Sequence, residues 1–200
     1  MRLSRVLIAV FAVAICSAAA HADSITFTDT GTASGSLDGT SFGSNLVTLT
    51  LTGDTSAITS PSSGILLLAG TATVSVAGVG SDTFTDSITI DCSAGPEACG
   101  FLDGGSSIML TFNPVLSTYG LTTAIGPLTG SNSYNPGLSF NTLSGTFVIN
   151  SLPGDTTFTA VDNTTSAPEP NSLSMLGTGL LGLMGMALLR KRAGGSILSR

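Results

Sequence analysis

All six basic residues of this chain stand at its two ends. Arg2 and Arg5 open it, and Arg190, Lys191, Arg192 and Arg200 close it. From Asp23 to Leu189 there is no lysine, arginine or histidine, and the same stretch holds all twelve acidic residues. Cationic ends around an acidic middle suggest one plan: membrane-targeting segments on either side of an exported domain. That middle also lacks most of the side chains on which enzymes rely. The sequence therefore says more about destination than about chemistry.

The amino terminus has the three parts of a secretory signal. Met1–Arg5 is short and positive, Val6–Ile15 is an unbroken apolar run, and small residues follow up to Ala22. Ala20-His21-Ala22 fits the A-x-A rule and places cleavage between Ala22 and Asp23. The run is too short to span a membrane, which takes about 20 apolar residues. Cys16 is disfavoured as a lipidation site, because bulky Ile15 stands where a small residue is wanted. Residues 1–22 are thus expected to leave as a signal peptide.

At the other end, Leu173–Leu189 runs 17 residues without a charge and is followed at once by Arg190, Lys191 and Arg192. This length is at the short end for one spanning helix. Basic residues stay cytoplasmic, so the domain faces outward and residues 193–200 form a cytoplasmic tail. Just before the span stand Pro168, Glu169 and Pro170. Pro-Glu-Pro, then an apolar helix, then a basic cluster resembles the PEP-CTERM sorting signal of Gram-negative bacteria, over residues 167–192. The resemblance implies that an exosortase-type membrane protease recognises Pro168, Glu169 and Pro170. It implies a transient anchor at 173–189, a basic stop at 190–192, and delivery to the cell surface or the extracellular polysaccharide matrix. The tail Ala193–Arg200 departs from the pattern by running past the basic cluster. A permanent anchor with a stiff proline stalk is the competing reading.

Residues 23–166 are long enough for one domain. Their apolar residues recur with period two, not with the period of a helix. Ser24–Thr28, Leu46–Thr52, the run Ile65–Leu68 continuing through Thr71–Val76, and Thr83–Ile90 all alternate. Gly78–Asp82 reads as a hairpin turn between the last two. Ser107–Phe112, Ser139–Asn150 and Thr156–Val161 supply further strands. Asn113–Gly137 reads as a long surface connection with one short strand near Tyr119–Thr122. Threonine suits exposed strand positions. The expected fold is all-β, an antiparallel β-sandwich ectodomain. With no lysine to blunt its edges, such a sheet is open to pairing with other chains, and its net negative charge opposes that.

Two groups of residues stand out as candidate sites. Asp82, Asp86, Asp91, Glu97 and Asp103 fall within 22 residues and offer hard oxygen ligands suited to Ca²⁺. They form no D-x-D-x-D-G loop, and solubility alone is the favoured reading of the acidic balance, so no metal is assigned. Cys92 and Cys99 are the cysteines left after signal cleavage. They flank a Gly-Pro turn, and in an oxidising compartment they read as a structural disulfide. C-x-x-C redox spacing is absent, and a zinc site wants four ligands.

Enzyme chemistry falls by elimination. Without histidine or lysine, hydrolase triads and Schiff-base mechanisms are excluded. No phosphate-cradling G-K-[ST] motif is present, and nucleic acid would demand Lys and Arg. A carboxylate pair remains chemically open, but with no Trp and two Tyr the chain is poor in rings for stacking a sugar. The expectation is a non-enzymatic structural protein of the surface or exopolysaccharide (biofilm) matrix, without cofactor. A polysaccharide- or calcium-binding module is the alternative. Asn163-Thr164-Thr165 matches a glycosylation sequon.

Overall fold

The computed structural model describes residues 23–163. The expected signal segment with its Ala22 cleavage residue, the Pro168–Pro170 motif, the 173–189 span and the 190–192 cluster lie outside the described residues. Among the described residues no helix is long and apolar enough to cross a membrane. The fold is all-β and sandwich-like, with a large antiparallel sheet.

Alternation of threonine or serine with Ile, Leu, Val and Phe is what builds it. Each strand can bury one edge of side chains and keep the other wet. In chain order the strands are β1 (Ser24–Leu37), β2 (Thr40–Asp54), β3 (Thr59–Ser62), β4 (Ile65–Ala69), β5 (Thr71–Val76), β6 (Gly80–Thr83), β7 (Ile88–Ser93), β8 (Ala98–Asp103), β9 (Ser106–Phe112), β10 (Ile125–Ser133), β11 (Ser139–Asn141), β12 (Thr146–Ser151) and β13 (Thr156–Asp162). They pair in the order β3-β4-β7-β8-β9-β10-β13-β1-β2-β5-β6, and β12 joins the far half of β1.

One strand turns this ribbon into two layers. β10 pairs with β13 through Ile125–Gly130 and then with β9 through Ser131–Ser133. Gly130 is the corner: a Cβ there would lie 1.8 Å from the Phe112 carbonyl oxygen. Inward side chains of the two halves make one core. Phe27, Leu49, Leu51 and Phe158 come from one half, and Ile88, Ile90, Phe101 and Met109 from the other. All eight are fully buried. Each stabilises the fold by about 1.5–3 kcal/mol relative to exposure.

The first half also closes on itself. β6 ends at Thr83, and the chain beyond it pairs with the β11–β12 turn. Phe84 bridges Thr142, the Thr85 N–H donates to the Asn141 carbonyl at 3.0 Å, and the Leu143 N–H donates to the Thr83 carbonyl at 2.9 Å. Pairings thus run in a ring through β1, β2, β5, β6, β11 and β12. Phe42 and Phe84 both pack on Phe147 inside it. The edge strand β3 carries Pro61, which removes one ladder donor. Edge protection comes from closure and proline where lysine is absent.

Several sequence expectations need correction. Ile65–Val76 is two strands in different halves, parted at Gly70, where a Cβ would meet the Thr52 carbonyl oxygen at 2.3 Å. Thr83–Ile90 is likewise broken: Thr83 ends β6, Ile88 begins β7, and the chain changes halves between them. The hairpin onto β5 is made by β6 alone. Asn113–Gly137 holds a 3-10 turn at Pro114–Thr118 and the nine-residue β10, and no strand near Tyr119–Thr122. Ser139–Asn150 splits into β11 and β12 around a tight turn.

Candidate functional site

Three arrangements in this fold carry polar chemistry, and each is assembled from strands distant in sequence. The largest is the outer face of the first half. Its outward residues fall in register across successive strands. One row reads Thr129, Thr157, Thr30, Thr48, Ser75, Ser81; the next reads Thr159, Thr28, Thr50, Thr73, Thr83; a third reads Thr26, Thr52, Thr71. Strand geometry sets neighbours in a row about 4.7–4.9 Å apart, and rows about 6.4–6.8 Å apart. Neighbouring hydroxyls bond each other: Thr26 with Thr52 at 2.9 Å and Thr129 with Thr157 at 2.9 Å. β-Branching holds these side chains stiff at χ1. The rows offer hydroxyls and methyls and carry no charge. Such a face can exchange hydrogen bonds with a neutral, hydroxyl-rich partner and has no cation with which to hold a phosphate. Aromatic rings do not contribute. Tyr119 is buried on Phe158, and its hydroxyl donates to the Thr123 carbonyl.

The second arrangement is the acidic group weighed as candidate calcium ligands, to which no metal is assigned. The structure does not bring the five together. Asp82 Oδ1 accepts the Thr83 N–H, and its Oδ2 accepts the Ser144 N–H, both at 2.7 Å. Asp86 accepts the Asn141 N–H at 2.7 Å and the Asn141 side-chain amide at 3.0 Å. Asp38, which sequence reasoning passed over, accepts the Thr142 hydroxyl at 2.6 Å. These three carboxylates therefore clasp the β11–β12 turn at the seam of the ring. Backbone N–H bonds hold the Asp82 carboxyl below its ordinary value. Burial and the neighbouring Asp86 carboxylate raise that of Asp103. Asp91 accepts from the Ser93 hydroxyl at 2.8 Å, and Glu97 sits at φ 58° in the β7–β8 turn. Among the described residues no group of three or more His, Cys, Asp or Glu is placed to hold a metal ion.

Cys92 and Cys99 lie directly opposite each other on β7 and β8, bonded as a disulfide, with Cα atoms 4.2 Å apart. Both are buried. The short separation of a directly opposed antiparallel pair is what lets the bridge form.

The third arrangement was not anticipated. Asp29 lies on the inward side of β1 and is 0 % exposed. Its Oδ1 accepts the Thr111 hydroxyl of β9 at 2.9 Å, and Thr111 shares a 2.6 Å hydrogen bond with the hydroxyl of Thr156 on β13. Asp29 Oδ2 is buried without a hydrogen-bond partner. Burial pushes this carboxyl up to about 8, against the smaller opposing effect of its hydrogen bonds to Thr111 and Thr30. The sequence held one signal: in the alternation of β1, Asp29 occupies a slot between Phe27 and Ala33 that faces inward.

No protein-family model, curated protein or solved structure matches this chain.

Proposed function

We propose that this chain is an exported structural protein of the cell surface or extracellular polysaccharide matrix, non-enzymatic and free of cofactor. Its route is the Pro168-Glu169-Pro170 tail, processed by an exosortase-type enzyme after transient anchoring in the inner membrane. The observation that carries the reading is the order in that tail: motif, apolar span, then Arg190, Lys191 and Arg192 with almost no spacer. A permanent anchor needs only the last two elements. The finer sandwich topology expected of such ectodomains belongs to the same reading. The buried Cys92–Cys99 bridge is in keeping with an oxidising compartment.

Mass spectrometry of surface material tests it. The mature chain should begin at Asp23 and end near Pro170. Glu169→Ala should leave the protein in the inner membrane. Peptides from 173–189 in released protein, or unchanged release of the variant, would overturn the reading.

A binding module for neutral polysaccharide is the second reading, and one observation favours it. The threonine rows form a charge-free face rich in hydroxyls, suited to a partner of the same chemistry. Retention of the exported protein on neutral exopolysaccharide, lost when Thr28, Thr50 and Thr73 become Lys, would support this reading over a purely structural role.

A further inference from the structure

We propose that Asp29 is a proton-dependent lock between the two halves of the sheet, closed while its carboxyl is protonated and loosened when the proton leaves. The geometry supplies the reasons. Asp29 belongs to β1, and Thr111, which donates to it, belongs to β9 on the other side of the core. The contact is a polar strut through an otherwise apolar interior. Thr156 on β13 completes it and is itself 0 % exposed.

A buried carboxylate normally survives by pairing with a cation. That remedy does not exist here, because residues 23–163 contain no lysine, arginine or histidine. The groups facing Asp29 are neutral. Leu49 on β2 and Phe158 on β13 are its register neighbours. Thr111 stands opposite on β9, and Thr156 lies on the adjoining strand β13. Gly31, the next inward residue of β1, leaves room filled by Leu152 and Met109. Tyr119, packed edge-to-face with Phe158, donates its hydroxyl to the Thr123 carbonyl, and burial raises its own titration above the ordinary range. A charge on Asp29 would thus meet the Thr111 hydroxyl and the Thr30 backbone N–H, with no counter-ion and with Oδ2 left without a partner. Protonation removes that charge, and the O–H can turn to Thr111 as donor or acceptor.

The direction of the linkage follows. The carboxyl titrates near 3.8 when unfolded and near 8 when folded. Between these values the folded chain keeps a proton that the unfolded chain releases. The contribution of Asp29 to stability is therefore greatest below about pH 4 and is lost as pH rises toward about 8. One proton corresponds to about a tenfold larger unfolding constant for each pH unit.

The test uses the full chain. Urea unfolding of wild type and Asp29→Asn is followed across pH 4–8. The ratio of their unfolding constants should change about tenfold per unit, wild type weakening relative to the variant. Parallel curves would overturn the proposal. Infrared spectra give a second readout that survives a poorly folding variant. In an Asp103→Asn background, which removes the other raised carboxyl, the folded protein at pH 6 should keep the C=O stretch of a protonated carboxylic acid. Absence of that band also overturns the lock.

Discussion

Asp82 accepts the backbone N–H of Ser144 at 2.7 Å across 62 residues of chain, and this bond pins the seam where the first half of the sheet closes into a ring. A charge-assisted bond of this kind is stronger than a neutral one. Asp82→Ala should speed amide hydrogen exchange at Leu143 and Ser144 and leave the β7–β8 hairpin as slow as before. The Asp82 carboxyl is held below its ordinary value of 3.8, so its contribution is present above that value and lost as pH falls through the lower folded one. The protection factor at the seam, which is exchange corrected for its intrinsic rate, should fall in acid, opposite in sign to the effect of Asp29. Uniform acceleration across the domain would contradict a local clasp.

The disulfide gives a measurable stability. Cys92 and Cys99 close a short loop, with a sequence separation of 7. The chain-entropy account assigns such a loop about 2–3 kcal/mol. The double variant Cys92→Ala/Cys99→Ala should lose about that much in denaturant unfolding. Native protein, unfolded without reductant, should show no thiol reactive to a maleimide at either position.

Gly130 should tolerate no side chain. It is the residue at which β10 leaves β13 for β9, and a Cβ would stand 1.8 Å from a backbone oxygen. Backbone must move to admit it. Gly130→Ala should cost about 1–3 kcal/mol, by the usual penalty for overpacking. Gly39→Ala has open space around its Cβ. It sits at φ 79°, so any loss there comes from backbone strain alone and should be smaller. Equal melting temperatures for Gly130→Ala and wild type would refute the corner.

How far the sequence could be read follows from such residues. Alternation reports which side of a strand is buried. It does not report which half of a folded-over sheet the strand joins. The pattern from Ile65 to Val76 and from Thr83 to Ile90 therefore continued across points where the chain changes layers, at Gly70 and at Thr85–Ser87. β10 was hidden because a corner strand needs glycine and lets little of itself into the core. The second part of β1 was hidden because Asp29, Gly31 and Gly35 fill inward slots where apolar residues are expected. Gly35 is required there by the Val148 carbonyl, 1.9 Å from where its Cβ would be. The cysteine pair and most strands were legible, since both depend on local spacing. The threonine rows were legible strand by strand. Their order as a two-dimensional face depends on register between distant segments.

Thr111 tests the polar strut without touching the acid. Thr111→Val keeps the shape and removes the donor, leaving Asp29 Oδ1 without that hydroxyl and Thr156 without its partner. Loss of a buried partner costs about 1–3 kcal/mol. The variant should unfold at lower denaturant, and the loss should be larger at pH 8 than at pH 5, where the protonated acid needs the donor less. A pH-independent loss would separate Thr111 from the titration of Asp29.

β13 carries the chain out of the domain toward residues 164–200, and it is an interior strand, flanked by β10 on one side and β1 on the other. Asn163 fastens the exit to β1, donating its backbone N–H to the Ser24 carbonyl and its side-chain amide to the Thr26 hydroxyl. Tension applied through the tail runs along β13 and shears two ladders at once. An edge strand in that place would peel one bond at a time. A chain tethered by its carboxyl end would accordingly meet load at a strand held by two ladders of hydrogen bonds and not by one.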